Sequence, residues 1–345
     1  MGGAGGAAAG SAGSAGGGGM QENTTGPCDI YASDGTPCVA AYSMVRRLSS
    51  VYSGPLYQVR KGGMSTGTGG TTQDIGTALG YADGDAQDAF CGTDTCTVSI
   101  LYDQSGRGND LRVAPAGCSA GTASEPDFES NAKRRALMVG GHRVYALYMN
   151  AHEGYRDNTT SGMPIGTAAQ GIYEVVDGRR IGSSCCWDFG NATTDNCYGS
   201  TGSMNAIFFG IGFWGSGTGS GPWFMGDFQG GVWAGGSGAS NVRNNNLPAS
   251  NFDFAFGILK TSTSGGTPQY AIRVGNAQSS SLTTAYDGQA PAPWQGQGGI
   301  VLGIGSDNGN SSFGTFYEGA ITAGRPSDAT DSAVLQNVQA TGYGR

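Results

Sequence analysis

Three places in the chain combine residue types that could do chemistry. The stretch GPWFMGDFQGGVWAGG, residues 221–236, sets Asp227 and Gln229 two apart between Trp223 and Trp233, in what reads as a single strand. Positions two apart on a strand share a face, so a carboxyl and an amide would project together beside aromatic rings. That set suits a sugar, whose hydroxyls take hydrogen bonds and whose C–H patches take ring faces. The same residues on a solvent-facing strand would do nothing of the kind, and this segment alone does not separate the two readings. The stretch GIVLGIGSDNGN, residues 299–310, ends an apolar run near Asp307; an acid just past a buried strand is ordinarily a turn residue. Thirdly, Cys185 and Cys186 are adjacent in SSCCWDFGN. A bond between neighbours closes a loop with nothing in it and restrains almost none of the unfolded chain, so stability is not the reason for such a pair.

The elements that must position these residues read as all-β. Glycine supplies 65 of 345 residues and charged residues only 13%, which favours short strands and tight turns over long charged helices. Apolar or alternating runs at 97–104, 204–214, 252–262, 269–277, 298–305 and 314–323 predict strands. TSGGTP, residues 263–268, predicts a hairpin loop somewhat longer than the tightest turns. Thr36 before Pro37, with Val45, Leu48 and Val51 recurring every three residues, predicts a helix over 37–50; Val334, Leu335 and Val338 behind Asp331 predict a last short one. No repeat of 20–50 residues is present, so neither propeller nor solenoid is expected. The expected fold is an all-β, two-sheet antiparallel sandwich with a few short helices, leaving a concave face or its end loops free for a ligand.

A net charge of −8 without basic clusters argues against nucleic acid and anionic membranes, which demand Lys/Arg stripes. A neutral partner is expected from that balance, and the chain is expected to be a monomer; no run approaches the ~20 apolar residues of a membrane span. Eight cysteines accompany only two histidines, His142 and His152, which points to disulfides in an oxidising compartment, hence an exported protein, and away from zinc or any other metal or cofactor. Short spacing pairs Cys28 with Cys38 and Cys91 with Cys96; Cys118 with Cys197 follows only by elimination. Residues 1–19 lack the basic start and apolar core of a signal peptide. The Gly/Ala/Ser-rich segment 1–25 is expected to be a disordered linker, with one sandwich domain over 26–345.

Seven segments, GPCDIY, TPCVAA, YDQSGRGN, CCWDFGN, GPWFMGDF, GIVLGIGSDN and GTFYEG, together and in this order resemble the catalytic domain of the α-L-arabinofuranosidase B family, glycoside hydrolase family 54. The likeness runs from about Gly26 to the C-terminus. It implies a concanavalin A-like sandwich and a retaining, exo-acting hydrolase that removes terminal α-L-arabinofuranosyl groups from arabinan or arabinoxylan. It further implies that Cys185 and Cys186 form a vicinal disulfide serving as an apolar wall against the sugar, and that Asp307 is the general acid/base. Asp227 would hold sugar hydroxyls, Trp214 would shape the pocket, and Gly230, Val232 and Ser306 would adjoin the sugar. Gly230 stands where the family usually has Asn, and Ser306 where it has Gly. The family's usual C-terminal β-trefoil is expected to be absent, because the chain stops at Arg345.

The family's nucleophile, a glutamate, falls on Gln229. A neutral amide cannot capture the anomeric carbon as an ester or offset oxocarbenium charge, so the chain as written is expected to turn over slowly or not at all. Gln229 reads as a natural residue or as an exchange introduced to trap substrate, the latter favoured. Two further readings stay open: a non-catalytic, lectin-like protein on the same sandwich, and a wall-attached structural protein that uses the glycine-rich tail as a spacer.

Overall fold

The computed structural model describes residues 1–2, 25–118, 124–197, 204–212, 215–228, 231–291 and 295–345. Two antiparallel sheets dominate, as the all-β reading predicts. One has seven strands: Cys38–Ser43, Gly314–Ala323, Gln170–Val176, Ala255–Ser264, Thr267–Asn276 and Leu282–Gln289 in spatial order, with Leu147–Met149 also pairing with Gly314–Ala323. The other has ten, in the order Gly231–Trp233, Trp223–Phe228, Asn205–Gly210, Asp188–Ala192, Gly299–Leu302, Tyr155–Asp157, Leu111–Val113, Cys96–Leu101, Tyr57–Lys61 and Thr71–Ile75.

Alternation along the strands decides what each face carries. Phe189 of the ten-stranded sheet meets Tyr42 edge-on and packs tilted against Phe316, both of the seven-stranded sheet, and Phe228 meets Tyr270 edge-on. These rings fill the space between the sheets, so their neighbours Asp188 and Asp227 project to the opposite face of the ten-stranded sheet. The outer face of the seven-stranded sheet is covered by helices Pro27–Ser33 and Asp328–Ala340, which pack on each other. Buried Asp331 pins the second helix by accepting from Lys260 Nζ at 2.7 Å and Arg273 Nη1 at 2.9 Å. A third helix is Gly84–Cys91.

Three sequence expectations are corrected here. The helix over 37–50 does not form: Cys38–Ser43 is a strand buried on both faces, where an apolar run carries no period that separates strand from helix. Val45 and Leu48 are buried in the irregular segment that follows, while Val51 is 89% exposed. The helix that does form begins at Pro27, with Gly26 N–H donating to Asp29 Oδ2 at 2.7 Å. The 263–268 hairpin closes in two residues, because Gly265 and Gly266 take φ of +55° and +82° and Ser264 pairs directly with Thr267; a glycine pair is the sequence that the tightest hairpin turns require. Finally, 221–236 is not one strand: Trp223–Phe228 pairs antiparallel with Gly231–Trp233, setting Asp227 opposite Val232.

All four disulfides pair as anticipated: Cys28–Cys38, Cys91–Cys96, Cys118–Cys197 and Cys185–Cys186. Residues 3–24, most of the expected linker, lie outside the described residues. Among the described residues no helix is long and apolar enough to cross a membrane.

Candidate active site

Strand register builds the site. Asp227 pairs with Ala206, Ala206 with Gly190, Gly190 with Val301, Val301 with Arg156 and Arg156 with Arg112, a row crossing six strands of the ten-stranded sheet. Small residues at the middle of the row leave room beside Asp227. Gly190 is required there: its φ is +152°, and a Cβ would sit 2.6 Å from the Cα of Ala206. Two residues along the strand, Asp188 shares Gly190's face, and Cys186, two residues before it, faces the same way. The carboxyl oxygens of Asp188 and Asp227 and the Cys186 sulfur lie within 4.8 Å of one another. A sulfur held in a disulfide is no thiolate, so this trio offers a metal only two carboxyl groups.

The two buried carboxyl groups are close enough to share a proton. Asp188 is wholly buried, and neither of its oxygens accepts from a donor. Burial, then the charges of Asp227, Glu174 and Asp307, drive its pKa well above the carboxylate range. Burial pushes Asp227 up to about 8, against the pull of a donor on a neutral Asp188 and with a further push from the Asp307 charge. Both groups therefore bind protons in the folded state that they release when unfolded above about pH 4. As pH rises from 4 towards 8, the unfolded chain sheds protons that the folded one keeps, and stability falls. Asp188→Asn keeps a donor to Asp227 without a proton to lose. Its Tm is expected to decline less steeply than the parent's between pH 5 and 8, and parallel curves would contradict the shared-proton pair.

Asp307 lies in the tight turn that follows strand Gly299–Leu302. Its Oδ1 accepts from Gly309 N–H at 3.0 Å. The adjacent cysteines, joined by a cis peptide, abut this turn: Cys186 N–H donates to Gly309 O at 3.1 Å, and Ser311 N–H and Oγ donate to Cys185 O at 3.1 and 2.7 Å. A methyl group on Gly305 would lie 3.2 Å from Cys186 Sγ and 3.3 Å from Asp307 Oδ1, which places disulfide and acid side by side. Behind the turn, buried Arg156 donates to Ser306 O at 2.8 Å, to the Thr193 carbonyl and to Thr193 Oγ1. Burial lowers its pKa to about 10, while Asp195 and Asp307 work the other way. Chemically, the face offers an acid poised beside an apolar wall, with further carboxyl groups for hydroxyls.

Of the site residues expected from sequence, Cys185, Cys186, Asp227 and Asp307 come together here. Val232 is buried opposite Asp227. Ser306 is buried, and its hydroxyl is tied to Thr193, accepting from the amide at 3.1 Å. Gln229, Gly230 and Trp214 lie outside the described residues. Sequence reasoning missed Asp188 and Arg156. Asp188 was within reach, two residues after Cys186 in a segment already singled out; nothing local marks Arg156, which reaches the site only through pairing with Val301.

Carboxyl groups gathered on one sheet face are the residue type that glycoside hydrolysis uses. The family profile described as "Alpha-L-arabinofuranosidase B, catalytic" matches residues 27–344. The chain belongs to that family. It is 44% identical over 325 residues to an arabinofuranosidase/β-xylosidase of Trichoderma koningii and 44% identical over 326 residues to a probable α-L-arabinofuranosidase B of Aspergillus clavatus, in each case over 92% of this chain. It spans 63% and 62% of those relatives' lengths. Among solved structures it is similar to a glutamate-to-glutamine mutant of a family 54 α-L-arabinofuranosidase soaked with 4-nitrophenyl α-L-arabinofuranoside, with TM-score 0.85 and 41% identity over 92% of this chain and 66% of that one. An arabinofuranosidase complexed with arabinofuranosyl-α-1,2-xylobiose is equally similar in fold, with TM-score 0.85 and 40% identity over the same shares.

Proposed function

We propose that this chain is an exo-acting α-L-arabinofuranosidase domain of retaining type, held at or near zero turnover by Gln229, that takes terminal α-L-arabinofuranosyl groups of arabinan or arabinoxylan. The convergence of Asp227, Asp307 and the Cys185–Cys186 disulfide on one sheet face carries the reading. In this reading Asp307 protonates the departing oxygen, Asp227 holds hydroxyls, and the disulfide packs against the sugar's apolar face. Support also comes from the relatives' names and from the substrate-soaked glutamine mutant within the family. Four disulfides favour a protein that works outside the cell.

Isothermal titration tests the ligand class. The chain as it stands is expected to bind an arabinofuranosyl-substituted xylo-oligosaccharide and to ignore the same oligosaccharide without arabinose; equal binding of both would remove arabinose from the reading. One observation favours a second reading, a non-catalytic arabinose-binding protein: Gln229 itself. Binding does not separate the two, whereas turnover on restoring a carboxylate does.

A further inference from the structure

Asp127 lies behind the Asp307 turn and is wholly buried. Its Oδ1 accepts from Asn310 Nδ2 at 2.5 Å and from Asn308 Nδ2 at 3.5 Å, and Asn308 Nδ2 also donates to Glu125 O at 3.3 Å. These two asparagines flank Gly309, whose N–H holds the Asp307 carboxylate. Asn308 has φ of +66°, a left-handed conformation that asparagine tolerates better than most residues with a side chain. Asn310 is held from its other end as well: His152 Nδ1 lies 3.0 Å from its Oδ1, and His152 N–H donates to its carbonyl at 2.7 Å. Asp127 is itself anchored through its N–H to Ala114 O at 2.9 Å.

We propose that Asp127 is a positioning residue for Asp307: by gripping Asn308 and Asn310 it fixes the Gly309 amide that aims the acid/base carboxyl at the departing oxygen. This rests on the reading of Asp307 given above. The grip does not depend on charge. Asp127 Oδ2 has no partner among the described residues, so a proton can sit there while Oδ1 continues to accept. Burial pushes the group up to about 6, against the pull of Asn310, Asn308 and His152 and with a small push from Glu153. Asp127→Asn keeps the accepting oxygen and replaces only the unpartnered one, whereas Asp127→Ala removes both.

The test uses the chain as it stands and the Gln229→Glu protein. In the first, amide exchange followed by NMR should show Gly309 N–H exchanging about tenfold faster or more in Asp127→Ala, close to the parent in Asp127→Asn, and unchanged in the 255–276 hairpin. Asn310→Ala, which removes the donor from the other side, should loosen Gly309 in the same way. Unchanged Gly309 exchange in both alanine variants overturns the proposal.

In the Gln229→Glu protein, a misaimed acid matters most when the leaving oxygen needs a proton. Asp127→Ala should therefore lower kcat/KM, which reads the step in which the leaving group departs, at least about tenfold more on an arabinofuranosyl-xylobiose than on 4-nitrophenyl α-L-arabinofuranoside, with Asp127→Asn restoring most of it. An equal loss on both substrates would mark a merely structural role and overturn the proposal. Asp307→Ala distinguishes the two failures: if it too lowers both substrates equally, the reading of Asp307 is wrong, and the Gly309 result then decides whether Asp127 still holds the turn.

Discussion

The Gln229→Glu protein should hydrolyse 4-nitrophenyl α-L-arabinofuranoside about a thousandfold faster, or more, than the chain as it stands. A retaining hydrolase needs a carboxylate about 5–5.5 Å from its acid/base to trap the anomeric carbon as a glycosyl ester and to face the oxocarbenium charge before the ester forms. An amide does neither, because its nitrogen lone pair is delocalised and it carries no charge. Several kcal/mol of transition-state stabilisation are therefore missing. Asp307→Ala in the restored protein should take back most of the gain on an arabinofuranosyl-xylobiose, whose leaving oxygen needs the proton. Release of arabinose is the measurement. No gain from Gln229→Glu, with folding and binding intact, would overturn the enzyme reading and leave a binding protein.

Two of the disulfides should behave in opposite ways on removal. Cys118 and Cys197 are 79 residues apart, and opening a loop of that length frees enough chain entropy in the unfolded state to cost about 4 kcal/mol. The double Ser variant is expected to lose on the order of 10 °C in Tm. Cys185 and Cys186 are one residue apart, so the same argument gives their bond almost nothing. Replacing both with Ala should shift Tm by only a few degrees, while arabinose affinity falls by about tenfold or more as the apolar wall beside Asp307 is lost. Thermal unfolding and calorimetry on the two variants check this. Equal destabilisation by both, or intact affinity in the Cys185/Cys186 variant, would contradict the proposed division between a staple and a wall.

Local pattern alone determined a good part of this protein. Glycine abundance and the 314–323 and 269–277 runs called for an antiparallel sandwich, and the strands formed there. An even cysteine set with short spacings and almost no histidine called for disulfides, and the near pairs closed. The ordered motifs pointed to the family, since a motif is a run of neighbours and needs no knowledge of contacts. Where local pattern misled, burial was the cause: Cys38–Ser43 is covered on both faces, so no alternation remained to distinguish strand from helix, and a proline with three apolar residues at helical spacing was enough to mimic a helix start. Only the tertiary structure decided which acids meet. Asp188 and Asp227 are 39 positions apart in a chain whose separation carries no distance, and they become a buried carboxyl pair because the strand Asn205–Gly210 pairs with both their strands at a fixed register. Arg156 and Asp127 serve the Asp307 turn for the same reason. Each reaches it across the fold, through contacts spanning 150 and more residues, and a hydrogen bond between residues so distant leaves no trace in the spacing of either.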